Sequence, residues 1–177
     1  VSSPRIASGT FKDLGPVNWV LWRVLSKAAG APNAHLFSTL GRTRGLFRGW
    51  LFYSGKLMPG GRISRKETEV VINRVAHVRD CGYEMDHHRR IGRRVGVTEA
   101  LLAQVKEGPA AVGLGDRYRA ILTATDELLA TKNLSDETWA ALAHEFDERQ
   151  LIEFLLLVGQ YDSLATTIET LRIERDF

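Results

Sequence analysis

From Pro16 to the C-terminus, apolar residues recur at spacings of three and four, and no stretch keeps the two-residue alternation of a half-buried strand. The spacing predicts a first helix from Pro16 to Gly30, with Trp19, Val20, Trp22 and Val24 as an apolar stripe. A second apolar run, with Leu36, Leu40, Phe47 and Leu51, ends at Pro59-Gly60-Gly61, and its Gly41, Gly45 and Gly49 predict a break into two helices. Ser64 with Glu67 reads as a capping box opening a helix that offers Val70, Val71, Val75 and Val78 to the core. Gly82 marks a turn, and the helix after it stops at Gly96. Thr98, Asp116, either Ser135 or Asp136, and Asp147 each stand where a further helix begins. The last helix is apolar nearly all round from Leu151 to Val158 and is expected to be the most buried. The pattern predicts an all-α, single-domain bundle of about seven to nine helices.

A chain of 177 residues fits one domain with a substantial core. Residues 1–10 carry neither a basic start nor an apolar stretch, so they read as an N-terminal extension and residues 11–177 as the domain. The single cysteine, Cys81, cannot form an internal disulfide, which makes a cytoplasmic home the expectation. The longest apolar run, Phe154 to Val158, is far short of the ~20 residues of a membrane span, so no membrane is expected as a partner. A net charge of +3 is carried by 18 Arg against 6 Lys, and four of the arginines crowd Arg89 to Arg94. That cluster attracts anions. No helix-turn-helix pattern accompanies it, so nucleic acid is not expected either.

The chemistry concentrates in "DCGYEMDHHRR", Asp80 to Arg90. If this stretch is helical throughout, Cys81, Glu84 and His88 fall within about 60° of one another and His87 points away. A thiol, a carboxylate and an imidazole would then share one face. "EMDH" is a Glu-x-x-His motif of the type di-iron bundles use twice, but it occurs once, and Cys81 has no second cysteine with which to build a zinc site. No metal and no cofactor are expected. Thiol chemistry at Cys81 and acid–base chemistry at Glu84 and His88, an i, i+4 pair, remain open on this pattern.

The order "ETEVVINRVAHVRDCGYEMDHHRRIGRRVGVTEALLAQV" resembles the carboxymuconolactone decarboxylase and alkylhydroperoxidase D-like family. That family's pattern has a glutamate 12 residues before a Cys-x-x-Cys, a histidine four residues after the second cysteine, and a Gly-hydrophobic-Ser/Thr turn. Glu69, Cys81, His88 and Gly96-Val97-Thr98 match it, and Glu84 stands in place of the second cysteine. Tyr83-Glu84-Met85 with His88 is similar to the decarboxylase-type branch, which has no thiol pair.

The resemblance implies an alkylhydroperoxidase D-like bundle that assembles as a homo-oligomer, a trimer or hexamer, with a dimer also compatible. It further implies a small-molecule substrate and a cofactor-free acid–base enzyme acting on a carboxylated lactone or carbonyl compound. The catalytic group would be Glu69, Cys81, Glu84 and His88, with His88 the proton donor and Glu84 its partner. Tyr83, Arg89 and Arg93 would contact substrate, one of the arginines as a carboxylate anchor. Two alternatives accompany this expectation: a single-Cys thiol-dependent peroxidase or reductase at Cys81, and a non-catalytic oligomeric helical protein.

Overall fold

The computed structural model describes residues 3–177, and these form nine helices and no strand. They are α1 (Phe11–Ala29), α2 (His35–Gly41), α3 (Gly45–Leu57), α4 (Arg65–Val78), α5 (Gly82–Arg94), α6 (Glu99–Glu107), α7 (Asp116–Thr131), α8 (Asp136–Glu145) and α9 (Glu148–Leu171). Gly15, at φ 71°, interrupts α1, so its long part does begin at Pro16. The expected break in the second apolar run falls between α2 and α3. There buried Asn18 of α1 donates to the carbonyls of Gly41, at 2.9 Å, and Arg44, at 3.1 Å, and ties the bend to α1.

Ser64, Thr98, Ser135 and Asp147 all cap their helices by accepting a backbone N–H of the first turn. Ser64 departs from the capping-box expectation in one respect: Glu67 takes the Ser64 hydroxyl, at 2.6 Å, and also pairs with Arg117 of α7.

Helix α4 is the hub, packed against α5, α6, α7 and α9, and every residue from Glu67 to Ala76 is buried. Val70, Val71, Ile72 and Val75 enter the core, whereas Val78 is 40% exposed at the helix end. A helix surrounded in this way must pair each polar residue it carries. Arg74 makes a two-pronged bond to Asp126, at 2.7 Å on each arm, and donates to the carbonyls of Val105 and Lys106, at 2.9 Å each. Asn73 Nδ2 donates to the carbonyls of Glu69, at 2.8 Å, and His88, at 3.3 Å, which locks α4 to α5.

One expectation is corrected. Helix α9 is apolar all round but is not buried all round: Leu151, Phe154, Leu157 and Val158 enter the core, while Ile152, Leu155 and Leu156 face outward. By length and composition it could cross a membrane, yet it packs on α3, α4, α7 and α8 as a core helix. Residues 3–10, ahead of α1, run along the bundle. Arg5 N–H donates to the Leu171 carbonyl (2.9 Å), Gly9 N–H to Ser38 (3.2 Å), and Arg42 reaches the Ala7 carbonyl (3.0 Å).

After α9, Arg172 adopts the left-handed conformation (φ 54°) and sends the chain back over α5. Arg175 fastens this return by a two-pronged bond to Asp86, at 2.6 and 2.7 Å.

Candidate active site

Glu69 of α4 is completely buried and shares its carboxylate between two cationic side chains. Its Oε2 lies 2.8 Å from His88 Nδ1, and its Oε1 lies 3.1 Å from a terminal nitrogen of Arg65, one turn earlier on α4. The other ring nitrogen, His88 Nε2, is 3.2 Å from Glu84 Oε2 on the same helix. The four residues form one chain, Arg65–Glu69–His88–Glu84.

Burial works against a charge on His88, but Glu69 and Glu84 together outweigh it and raise the imidazole to about 10. At neutral pH His88 is therefore an imidazolium, hydrogen-bonded through Nδ1 to Glu69 and ion-paired through Nε2 with Glu84. The ring of Tyr161 from α9 meets it edge-on, with centroids 5.2 Å apart. Burial, reinforced by the charges of Glu84 and Glu69, holds the Tyr161 hydroxyl well above its ordinary pKa, so it stays neutral.

Glu84 and His88 open onto a cavity of about 280 Å³ between α1, α2, α3, α5 and α9. Leu25, Phe37, Trp50, Met58, Ile91 and Leu164 make its apolar wall; Tyr83, Glu84, His87, His88 and Tyr161 bring polar atoms to it. Ser54 and Gln160, joined at 3.0 Å, supply a further neutral polar pair. Among the described residues, no lysine or arginine lines it.

Cys81 is not in this wall. It occupies the N-cap position of α5 in an extended conformation (φ −85°, ψ 92°), so the helical projection from Glu84 and His88 does not extend to it. It is completely buried, and burial above all, aided by the charges of Glu84 and Glu169, pushes its thiol up to about 12. A thiol in that state is a poor nucleophile.

Arg89 and Arg93 are also elsewhere. Both are about half exposed and grip Glu99 of α6, at 2.7 and 2.6 Å. Arg89 borders a separate surface groove with Lys106 and Arg175. The expected carboxylate anchor thus faces away from the cavity, because the residues of α5 on the cavity side are those in register with Glu84, His88 and Ile91.

Tyr83 does line the cavity, but its hydroxyl is engaged by Asp176, at 2.6 Å. Three residues of this neighbourhood escaped the sequence pattern. Arg65 had a local signal, its i, i+4 spacing to Glu69. His87 borders the cavity although the projection anchored on Cys81 turned it away, and Asp176 lies far down the chain with no local mark at all.

Residues 44–127 match the model of the Carboxymuconolactone decarboxylase family. The uncharacterized protein YdfG of Bacillus subtilis (strain 168) is 23% identical over 103 residues, which cover 57% of this chain and 70% of YdfG. Among solved structures, the alkylhydroperoxidase AhpD core of an uncharacterized peroxidase-related protein from Ralstonia eutropha JMP134 superposes with a TM-score of 0.84. The match covers 99% of this chain and 93% of that one at 18% identity. The debrominase Bmp8 superposes with a TM-score of 0.79 over 96% of this chain and 91% of its own, at 15% identity. A cysteine-to-alanine variant of Bmp8 has been solved in complex with 2,3,4-tribromopyrrole. The fold is alkylhydroperoxidase D-like, and the segment 44–127, just under half of the chain, is similar to the carboxymuconolactone decarboxylase family.

Proposed function

We propose that this protein is a cofactor-free acid–base enzyme that protonates carbon on a small, mainly apolar lactone or carbonyl compound, working as a homo-oligomer. The observation that carries this reading is the buried Glu69–His88–Glu84 chain, whose imidazolium and outer carboxylate open into an apolar cavity. When a substrate in that cavity loses CO₂, the carbon–carbon bond to the carboxyl group breaks and its electron pair stays behind as an enolate or dienolate. The Nε2 proton of His88 passes to a Glu84 oxygen and from there to the substrate carbon, closing a new C–H bond. No electrons are exchanged with a second reactant. Glu69 and Arg65 hold the imidazole in place while its charge changes.

Apart from the carboxylate that leaves as CO₂, the cavity's lining favours a substrate with an uncharged body, since neither Arg89 nor Arg93 reaches it. That a neighbour of the same fold, Bmp8, binds a small flat ring supports a cyclic substrate of similar bulk. The peroxidase-related names of other neighbours speak for thiol chemistry at Cys81. That reading requires a reachable thiolate, and the burial and raised pKa of Cys81 weigh against it.

The test is a screen of lactones, β-keto acids and vinylogous acids in deuterium oxide by proton NMR. Glu84→Gln and His88→Ala are expected to lower turnover by about 10²–10⁴ with the circular dichroism spectrum retained, while Cys81→Ser keeps most of it. Turnover that depends on Cys81 and survives the loss of Glu84 or His88 overturns the proposal.

A further inference from the structure

A second hydrogen-bonded chain reaches the same cavity from the segment after α9. The side chain of Asp176 is 1% exposed. Its Oδ2 accepts from the Tyr83 hydroxyl (2.6 Å) and from His87 Nε2 (2.8 Å). Its Oδ1 accepts from the His35 backbone N–H (3.0 Å), and His35 Nδ1 lies 2.6 Å away. Burial favours the protonated acid, but the bonds from His87, Tyr83 and His35 prevail and hold Asp176 below the usual carboxylate range.

An ionised carboxylate only accepts, so His87 Nε2 must carry the hydrogen. In the neutral ring the lone pair is then on Nδ1, which has no hydrogen-bond partner among the described residues. The ring itself is fixed: Tyr83 stacks on it at 4.6 Å and 25°, and Phe177, covered by Arg90, packs against it at 5.0 Å.

His87 lines the cavity beside Glu84 and His88. On α5 these three residues and Ile91 stand at i, i+3, i+4 and i+7, the spacing of one helix face. One chain therefore ends in a proton donor and the other in an oriented imidazole with a free lone pair, and both border one space without a lysine or arginine among the described residues.

We propose that His87 is the general base of this cavity, held in orientation by Asp176, and that with the His88–Glu84 chain as acid it moves a proton between two carbons of a neutral unsaturated lactone or ketone. The inference rests on the acid role given above to His88 and Glu84, and extends it from carboxylated substrates to isomerisation. His87 Nδ1 removes a proton from the carbon between the carbonyl and the double bond. The C–H electron pair enters the π system as a dienolate. A proton delivered from His88 through Glu84 bonds to the far carbon, and the double bond moves into conjugation with the carbonyl. His87 ends as an imidazolium facing Asp176, His88 ends neutral, and exchange with solvent restores both. Nothing is oxidised or reduced. Asp176 is the positioning residue.

Two measurements test this on the full chain. In the first, phenol serves as a small O–H donor in place of substrate and is titrated into protein labelled with nitrogen isotope at histidine. The His87 Nδ1 resonance is expected to move, to stop moving in Asp176→Asn, and to recover in Asp176→Glu. An unmoved Nδ1 overturns the proposal whether or not turnover has been found. In the second, α-angelica lactone in deuterium oxide is followed by NMR. The wild-type protein is expected to give the conjugated isomer with deuterium at the far carbon, and His87→Gln to lower that rate by about 10² or more. Equal rates in wild type and His87→Gln, or no isomerisation at all while decarboxylation requires His88, leave the acid role standing and overturn the base. Turnover indifferent to both His88 and Glu84 defeats the proposed function itself, and so the proton shift built on it.

Discussion

His88 and Glu69 meet across the contact between α5 and α4 at 2.8 Å, an imidazolium and a carboxylate both removed from water. The attraction of Glu69 and Glu84 together exceeds the cost of burying the imidazole, since His88 rises from its ordinary 6.5 to about 10 in spite of burial. A group whose folded pKa is raised stabilises the fold while it is protonated there and not in the unfolded chain. The stabilisation from His88 is complete below about 6.5 and declines as pH rises toward about 10. Urea unfolding of wild type and His88→Gln is expected to show a stability gap that shrinks between those pH values. A constant gap would show that His88 does not carry its charge in the folded state.

Glu69→Gln isolates the other partner. It leaves His88 with only Glu84 and Arg65 with no carboxylate. Removing one member of a buried pair costs about 3–5 kcal/mol. A loss of that size in chemical denaturation is expected, together with a lower His88 pKa read from its imidazole resonances. A loss under about 1 kcal/mol would mean that water replaces the missing carboxylate and that the pair is less sealed than its burial indicates.

The positions the sequence made legible are those set by local chemistry. Caps at Ser64, Thr98, Ser135 and Asp147 depend on hydrogen bonds within one turn, so each could be read from neighbours in the chain; the break between α2 and α3 is marked by Gly41 and Gly45, although the residue that takes a positive φ there is Arg44, at 53°. The Glu84–His88 pair is local in the same sense. The Glu69–His88 contact joins residues 19 apart and is set by how α4 packs on α5, so only the family resemblance pointed to it. Cys81 was placed on the wrong face because an N-cap residue does not follow the 100° progression of the helix it opens. Arg89 and Arg93 offered charge without direction, and Glu99, ten and six residues later, takes both. The outward face of α9 was missed because an apolar pattern does not say what covers it.

Cys81 provides a check on the thiol question that needs no substrate. Its thiol is pushed up to about 12, chiefly by burial. A colorimetric disulfide reagent at pH 8 is expected to react with the folded protein orders of magnitude more slowly than with the protein in urea, where the single cysteine should titrate fully. Rapid labelling of the folded protein would return Cys81 to the list of reactive groups and strengthen the peroxidase-type alternative.

The proposed homo-oligomer rests on apolar surface that the described fold leaves uncovered. Val17, Val20 and Val24 lie along one face of α1 with 57–60% exposure, Leu46 and Phe52 of α3 exceed 70%, and Ile152 of α9 reaches 60%. Apolar side chains clustered by helical spacing, rather than scattered singly, mark a surface that gains by burial against another protein. Helix α1 also gives Leu25 and Ala29 to the cavity wall, so a contact along its outer face would steady the site from behind. Light scattering at micromolar concentration is expected to report a multiple of the 19.8 kDa chain mass. The double variant Val20→Glu with Val24→Glu should lower that multiple while keeping the helical circular dichroism, because a charge brought into an apolar contact must be desolvated without a partner. A wild-type protein that scatters as a monomer, or a double variant that assembles unchanged, would exclude the outer face of α1 as the contact.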